Sequence, residues 1–199
     1  MLPGKLLPHD RAVFISMSAD GAWVATGTHS GTGIRVSNAK TQELEIELPI
    51  DFDGTSAFSP DGRWLATVTS SECRLWSVGS WQPGPRFAAI GRHAAFSPDS
   101  GLLAVETDRG IVTLFRPDTG QSIAILESPN QDGLQWLGFS PDGGQLVMAT
   151  TDNDSIRVWD LRRIREQLVP LGLDWRYPAL PPLPDKALTP IRELRVIEK

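Results

Sequence analysis

Short apolar runs recur along the chain, each entered through a polar turn and left through a polar cluster. The runs are Trp23-Val24-Ala25, Trp64-Leu65-Ala66, Leu102-Leu103-Ala104 and Leu146-Val147-Met148. Runs this short, bounded by turn residues, predict strands buried on both faces. One word precedes each run. It reads Phe58-Ser59-Pro60-Asp61-Gly62 and Phe139-Ser140-Pro141-Asp142-Gly143, with variants Phe96-Ser97-Pro98-Asp99-Ser100 and Met17-Ser18-Ala19-Asp20-Gly21. Pro fixes φ, Asp bonds back to the backbone and Gly accepts positive φ, so the word predicts a tight turn. The aspartates Asp20, Asp61, Asp99 and Asp142 are 41, 38 and 43 residues apart.

A second word follows in phase: Ile34-Arg35-Val36-Ser37, Cys73-Arg74-Leu75-Trp76, Val112-Thr113-Leu114-Phe115 and Ile156-Arg157-Val158-Trp159. Its last residue stands 17, 15, 16 and 17 residues after the turn aspartate. Thr28-His29-Ser30-Gly31 and Thr151-Asp152-Asn153-Asp154 read as loops between the two strands. A further strand is predicted where Glu43-Leu44-Glu45-Ile46-Glu47-Leu48 alternates with period two, and again at Gln121 to Leu126. Four short strands per repeat of about 40 residues, with a Trp-Asp ending, predict an all-β chain of propeller blades.

These residues resemble the WD-repeat family over residues 4 to 161. The resemblance implies a β-propeller of four WD-type four-stranded antiparallel blades, a partial or small ring, followed by a short C-terminal helix and an extended tail. The expected blades are about 9–48, 52–90, 93–127 and 133–161, with 4–8 as an extra fourth strand. Residues 162–177 are expected to form a helix and anchor, and 178–199 a Pro-rich, flexible tail. Structural anchors of the repeat would be Asp20, Asp61, Asp99, Asp142, Trp76 and Trp159. The family often carries a buried His, Ser/Thr, Asp and Trp network in each blade. His9, Thr26, Thr67, Asp152, Trp76 and Trp159 match single members, and no blade holds the full set. Each missing hydrogen bond forgoes only about 0.5–1.5 kcal/mol, so packing is expected to carry the blades.

Four units lie at the lower limit for a propeller. The last unit lacks a fourth strand of its own, and Gly4-Lys5-Leu6-Leu7-Pro8 has the place of one. This predicts closure of a ring of four, a larger ring shared by two chains as a homodimer, or a piece of a longer propeller. A fragment or an assembly is favoured over a strained small ring.

After Trp159, Asp160 is expected to cap a helix with apolar positions Leu161, Ile164, Leu168 and Leu171. Arg162, Arg163, Arg165 and Glu166 are placed on its wetter side, and Leu173, Trp175 and Tyr177 offer apolar anchors. Residues 160–168 with 171–175 are similar to the ends of large bacterial proteins that fuse a serine/threonine kinase to WD repeats. That similarity implies a signalling context. No kinase motif stands in these 199 residues.

The net charge of −5 and the scatter of Lys and Arg argue against a nucleic-acid binder. No apolar run approaches the length needed to span a bilayer, and a single cysteine, Cys73, fits a reducing, cytoplasmic setting. Cys73 is expected to be a buried, inert strand residue. No catalytic, metal-binding or cofactor-binding residue is assigned, and no cofactor is expected. The stretch from Gly27 to Gly33 is glycine-rich but lacks the Gly-Lys-Ser/Thr of a phosphate loop. The chain is therefore read as a protein–protein interaction scaffold binding a protein or peptide. Candidate contacts are the loop residues Arg11, His29, Arg92, Arg109 and Asn153. The competing readings are a propeller-class enzyme with its site in a central channel, and a truncated piece of a kinase-linked sensor.

Overall fold

The computed structural model describes residues 9–29, 33–50, 54–91, 93–152 and 155–175. The strand expected at 4–8, the candidates Arg92 and Asn153, and Asp154, Tyr177 and the tail 178–199 lie outside the described residues.

The described strands form four antiparallel sheets. The first holds β1 (Ala12–Met17), β2 (Trp23–Thr28), β3 (Ile34–Asn38) and β4 (Leu44–Leu48). The second holds β5 (Thr55–Phe58), β6 (Trp64–Val68), β7 (Glu72–Ser77) and β8 (Pro83–Ala88). The third holds β9 (Ala94–Phe96), β10 (Leu103–Asp108), β11 (Ile111–Phe115) and β12 (Ser122–Glu127). The fourth has three strands, β13 (Leu134–Phe139), β14 (Gln145–Thr150) and β15 (Ile156–Asp160), and then the helix α1 (Leu161–Leu168).

Each sheet pairs its strands in chain order, so one hairpin follows another outward from its first strand. The first strands gather at the inner edge, β1 against β5, β5 against β9, and β9 against β13. No comparable contact joins β13 back to β1 among the described residues. The sheets thus form blades around part of an axis, an arc without closure.

Period-two alternation gives every blade a leading face, toward the blade before it, and a trailing face, toward the blade after it. Trailing Ile34 and Val36 of blade 1 pack on leading Leu65 and Trp76 of blade 2. Trailing Cys73 and Leu75 pack on leading Leu103 and Val105 of blade 3. Trailing Val112 and Leu114 pack on leading Leu146 and Met148 of blade 4. This is why the central runs of β2, β6 and β10 are apolar on both sides. Burial at these junctions, at roughly 25 cal/mol per Å² of apolar surface, is the main force stacking the blades.

The turn word has the same geometry four times. The Ser18, Ser59, Ser97 and Ser140 hydroxyls each donate to the aspartate two residues on, at 2.6 Å. The same hydroxyls accept the backbone N–H of Trp23, Trp64, Leu102 and Gln145 at 2.9 Å. Gly21, Gly62 and Gly143 take φ near +70°, and Ser100 takes φ +60° at the equivalent place. Ser100 Oγ also accepts the N–H of Asp61 at 2.9 Å, tying the turns of blades 2 and 3 together.

Asp160 caps α1 by accepting the N–H of Arg163 at 3.0 Å. Leu161 is buried between blades 3 and 4, and Ile164 packs beside it. Leu171 is exposed, because α1 passes at Val169 into a 3₁₀ turn that ends on Gly172 with φ +66°. Arg162 and Arg165 are not on the wet side as the helical wheel suggested. Arg162 pairs with Asp142 at 3.0 Å, and Arg165 holds Asp174 through two bonds of 2.9 and 3.0 Å. Trp175 is buried at the end of this strap, whereas Leu173 is exposed.

Candidate interaction face

Antiparallel pairing puts two sets of connections at one end of every blade: those leading into the first strands and those joining the second strand to the third. Arg11 precedes β1, His29 follows β2 and Arg109 lies between β10 and β11, so these three candidates share that end. Ala12 pairs with Thr28, which sets Arg11 beside His29. The His29 ring meets the edge of Phe14 at 4.7 Å. Arg11 is exposed and held at φ +59°.

Arg109 joins two blades. Its Nη2 donates to Asp152 at 2.9 Å and its Nε to the Gln131 carbonyl at 3.1 Å. The other oxygen of Asp152 accepts the Gly133 N–H at 2.5 Å. Asp152 thus serves a clasp between blades 3 and 4 while also bonding the Gly133 N–H of its own blade.

Beneath the clasp lie polar groups that sequence reasoning missed. Asp132 is buried and accepts from Arg157 Nε at 3.0 Å, from Arg157 Nη2 at 2.6 Å and from Ser128 at 3.2 Å. Glu106 is buried on β10, and burial pushes its carboxyl up to about 7, against the opposing pull of the Leu134 N–H and the Arg109 charge. A Cβ on Gly91 would overlap the Glu106 carboxyl, so a larger residue there would have to displace that carboxyl. Little local marks Glu106 or Asp132, because the Leu134 N–H and the Arg157 guanidinium that they accept from lie in the next blade or 25 residues along the chain.

The anchors keep different fragments of a network. Trp76 Nε1 donates to Thr67 Oγ1 at 2.9 Å inside blade 2. His9 Nδ1 lies 2.6 Å from Thr26 Oγ1 in blade 1, and partial burial, then the Arg35 charge, lowers the His9 pKa. Trp159 packs half-buried in the junction of blades 3 and 4. The Ser140 hydroxyl, then the Gly144 N–H, holds Asp142 down at about 2.

At the same end, a groove of about 320 Å³ lies between blades 1 and 2. Pro49, Ile50, Thr69 and Ser71 form its walls, with Glu72, Arg74 and Arg86 as its charged groups. Arg86 Nη1 and Arg74 Nε approach Glu72 at 3.5 and 3.8 Å. Among the described residues, no three His, Cys, Asp or Glu side chains are placed to hold a metal, and no helix is long and apolar enough to cross a membrane. Cys73 is a buried free thiol, pushed up to about 12 by burial.

Comparison with known proteins gives a consistent picture. The family described as WD domain, G-beta repeat, matches residues 54–77 and 120–160. A WD repeat-containing protein, SL1-17, of Schistosoma mansoni is 32% identical over 69% of this chain and 48% of its own length. Pre-mRNA-processing factor 19 of Schizosaccharomyces pombe is 24% identical over 67% of this chain and 27% of its own. The chain thus spans about half or less of these relatives. Among solved structures, hydrazine synthase of Kuenenia stuttgartiensis superposes with a TM-score of 0.68 at 19% identity, covering 82% of this chain and 50% of that one. That likeness concerns the fold.

Proposed function

We propose that this arc of WD-type blades is a non-catalytic scaffold that takes a protein or peptide on its loop end. One observation supports the reading: the loops of Arg11, His29 and Arg109 lie at the end that also holds the groove with Arg74, Arg86 and Glu72. A groove with a few charged groups between apolar and small polar walls suits an extended segment bearing a charged side chain. Arg92 and Asn153 are proposed for the same face on their sequence positions. The relatives named for WD repeats support the scaffold role. Neither nucleic acid nor a cofactor belongs to the reading, and the net charge of −5 supports the former.

The reading keeps the division into blades over 1–161, a helix and anchor over 162–177 and a Pro-rich tail over 178–199. A link to serine/threonine-kinase signalling is part of it, supported by the resemblance of residues 160–175 to the ends of such bacterial fusions. So is a cytoplasmic setting, supported by the lone cysteine.

The test uses photo-crosslinking groups placed at Arg11 or Arg86, and at Arg63 on the opposite end as a control. One partner polypeptide is expected to be captured from the first two positions and not from the third. Arg11→Glu with Arg86→Glu is expected to weaken that binding at least tenfold, with Arg63→Glu leaving it unchanged. Capture and loss confined to Arg63 would defeat the reading.

A further inference from the structure

The two flat ends of the arc are matching halves of one kind of junction. Ile34, Cys73 and Val112 stand at one repeat position, and Val36, Leu75 and Leu114 at another. All six are 0% exposed on the trailing faces of blades 1 to 3. Pairing registers put Ile156 and Val158 at these positions in blade 4, opposite Ala149 and Val147. There they are 72% and 53% exposed. Trp136 lies on the same face, its ring over Gly138, and is exposed too.

The opposite end shows the reverse. Phe58, Phe96 and Phe139 sit at one repeat position on their leading faces and pack into the junctions with the preceding blades. The residue at that position in blade 1 is Met17, opposite Val24, and it is 58% exposed. Val13 and Ile15 extend the same stripe, Ile15 at 71%.

We infer that a second copy of this chain covers both faces, the trailing face of each copy stacking on the leading face of the other. The inferred contact continues the three junctions already inside the chain, trailing Ile156 and Val158 meeting leading Met17 and Ile15 much as Cys73 and Leu75 lie with Phe96 in one cluster, while Val24 beside Met17 is already buried within the chain. Among the described residues β13 makes no comparable contact with β1, so the trailing face of blade 4 and the leading face of blade 1 do not meet there. Two copies bring one of each to both junctions, and two arcs of four blades make eight, within the range that propellers adopt. Head-to-tail contacts close when the rotation completes a circle. Contiguous apolar faces of this kind are the usual mark of a covered surface. The inference rests on the proposed reading only for its blades, and it names a second copy as partner at the flat ends rather than at the loop end.

Light scattering coupled to size exclusion, run on the whole chain, is expected to give twice the chain mass of 21.8 kDa. Ile15→Asp alone and Val158→Asp alone each spoil both junctions of a like pair, and each is expected to weaken dimerisation at least tenfold. Mixing the two variants restores one intact junction and is expected to recover dimers. Far-ultraviolet dichroism checks the fold of each, with Ile15→Ser and Val158→Ser replacing any variant that loses its β spectrum. A folded wild-type monomer, open-ended growth with concentration, or a dimer indifferent to Ile15→Asp would overturn the inference. None of these outcomes bears on the crosslinking at Arg11 and Arg86, so the two readings fail separately.

Discussion

A serine hydroxyl 2.6 Å from an aspartate, repeated four times, is the smallest unit of this architecture. It closes each turn by satisfying backbone N–H groups that the hairpin leaves over. Residues of this kind act within five positions of themselves, so the sequence displays them. Glu106 is the opposite case. Its folded pKa, about 7, lies above the ordinary 4.5, so its contribution is complete below about pH 4.5 and lost as pH rises through 7. Up to about 3 kcal/mol is at stake, at 1.36 kcal/mol per unit. Urea unfolding of the Ile15→Asp background is expected to show a loss of stability from pH 5 to pH 8. Adding Glu106→Gln, which removes the charge and keeps an acceptor for the Leu134 N–H, is expected to shrink that loss by at least half. His9, its pKa lowered by burial and the Arg35 charge, is common to both proteins and cancels. An unchanged loss would show that Glu106 is solvated as an ordinary carboxylate.

The strands and the helix were legible to different degrees. Predicted runs such as Trp64-Leu65-Ala66 fall within β6, and Glu43 to Leu48 covers β4, because burial on one or two faces writes itself as period or run. The helix α1 begins where Asp160 predicted, but its apolar stripe ends early. Leu171 fell off the stripe because Pro170 lacks the N–H to continue an α turn. The arginines on α1 were misplaced for another reason: their acceptors, Asp142 and Asp174, are 20 and 9 residues away and no periodicity reports them. Asp160→Ala is expected to cost about 1 kcal/mol through the lost cap. Leu161→Ala, at a side chain 1% exposed between blades, is expected to cost about 2–4 kcal/mol. Thermal unfolding of both variants measures the order, and a larger cost for the cap would mean α1 is peripheral to the junction.

For the whole molecule, stability is a sum over blades and nearest-neighbour junctions. Blades 2 and 3 are covered on both faces, whereas among the described residues blades 1 and 4 each have a neighbouring blade on one side. In the Ile15→Asp variant, hydrogen exchange is expected to be slowest in β6, β7, β10 and β11. Amides of β1 and β15 are expected to exchange at least tenfold faster, since they open with the end blades. Uniform protection along the chain would mean that the four blades unfold as one unit. In the inferred dimer the difference is expected to narrow relative to Ile15→Asp, because the second copy would cover both ends.

Repeat phase, turn chemistry and the all-β character of the blades were set by the sequence alone, since each arises from contacts within a hairpin and recurs four times. The shared position of Arg11, His29 and Arg109 at one end was also implicit, because antiparallel alternation assigns every loop to an end. Tertiary structure alone decided that the described blades form an arc, that Arg109 clasps Asp152 across two blades, and that Glu106 is buried. The reason is distance. These features depend on how one blade is rotated against the next, and that angle is settled by side-chain volumes packed across junctions some 40 residues apart in the chain, not by any pattern within one repeat.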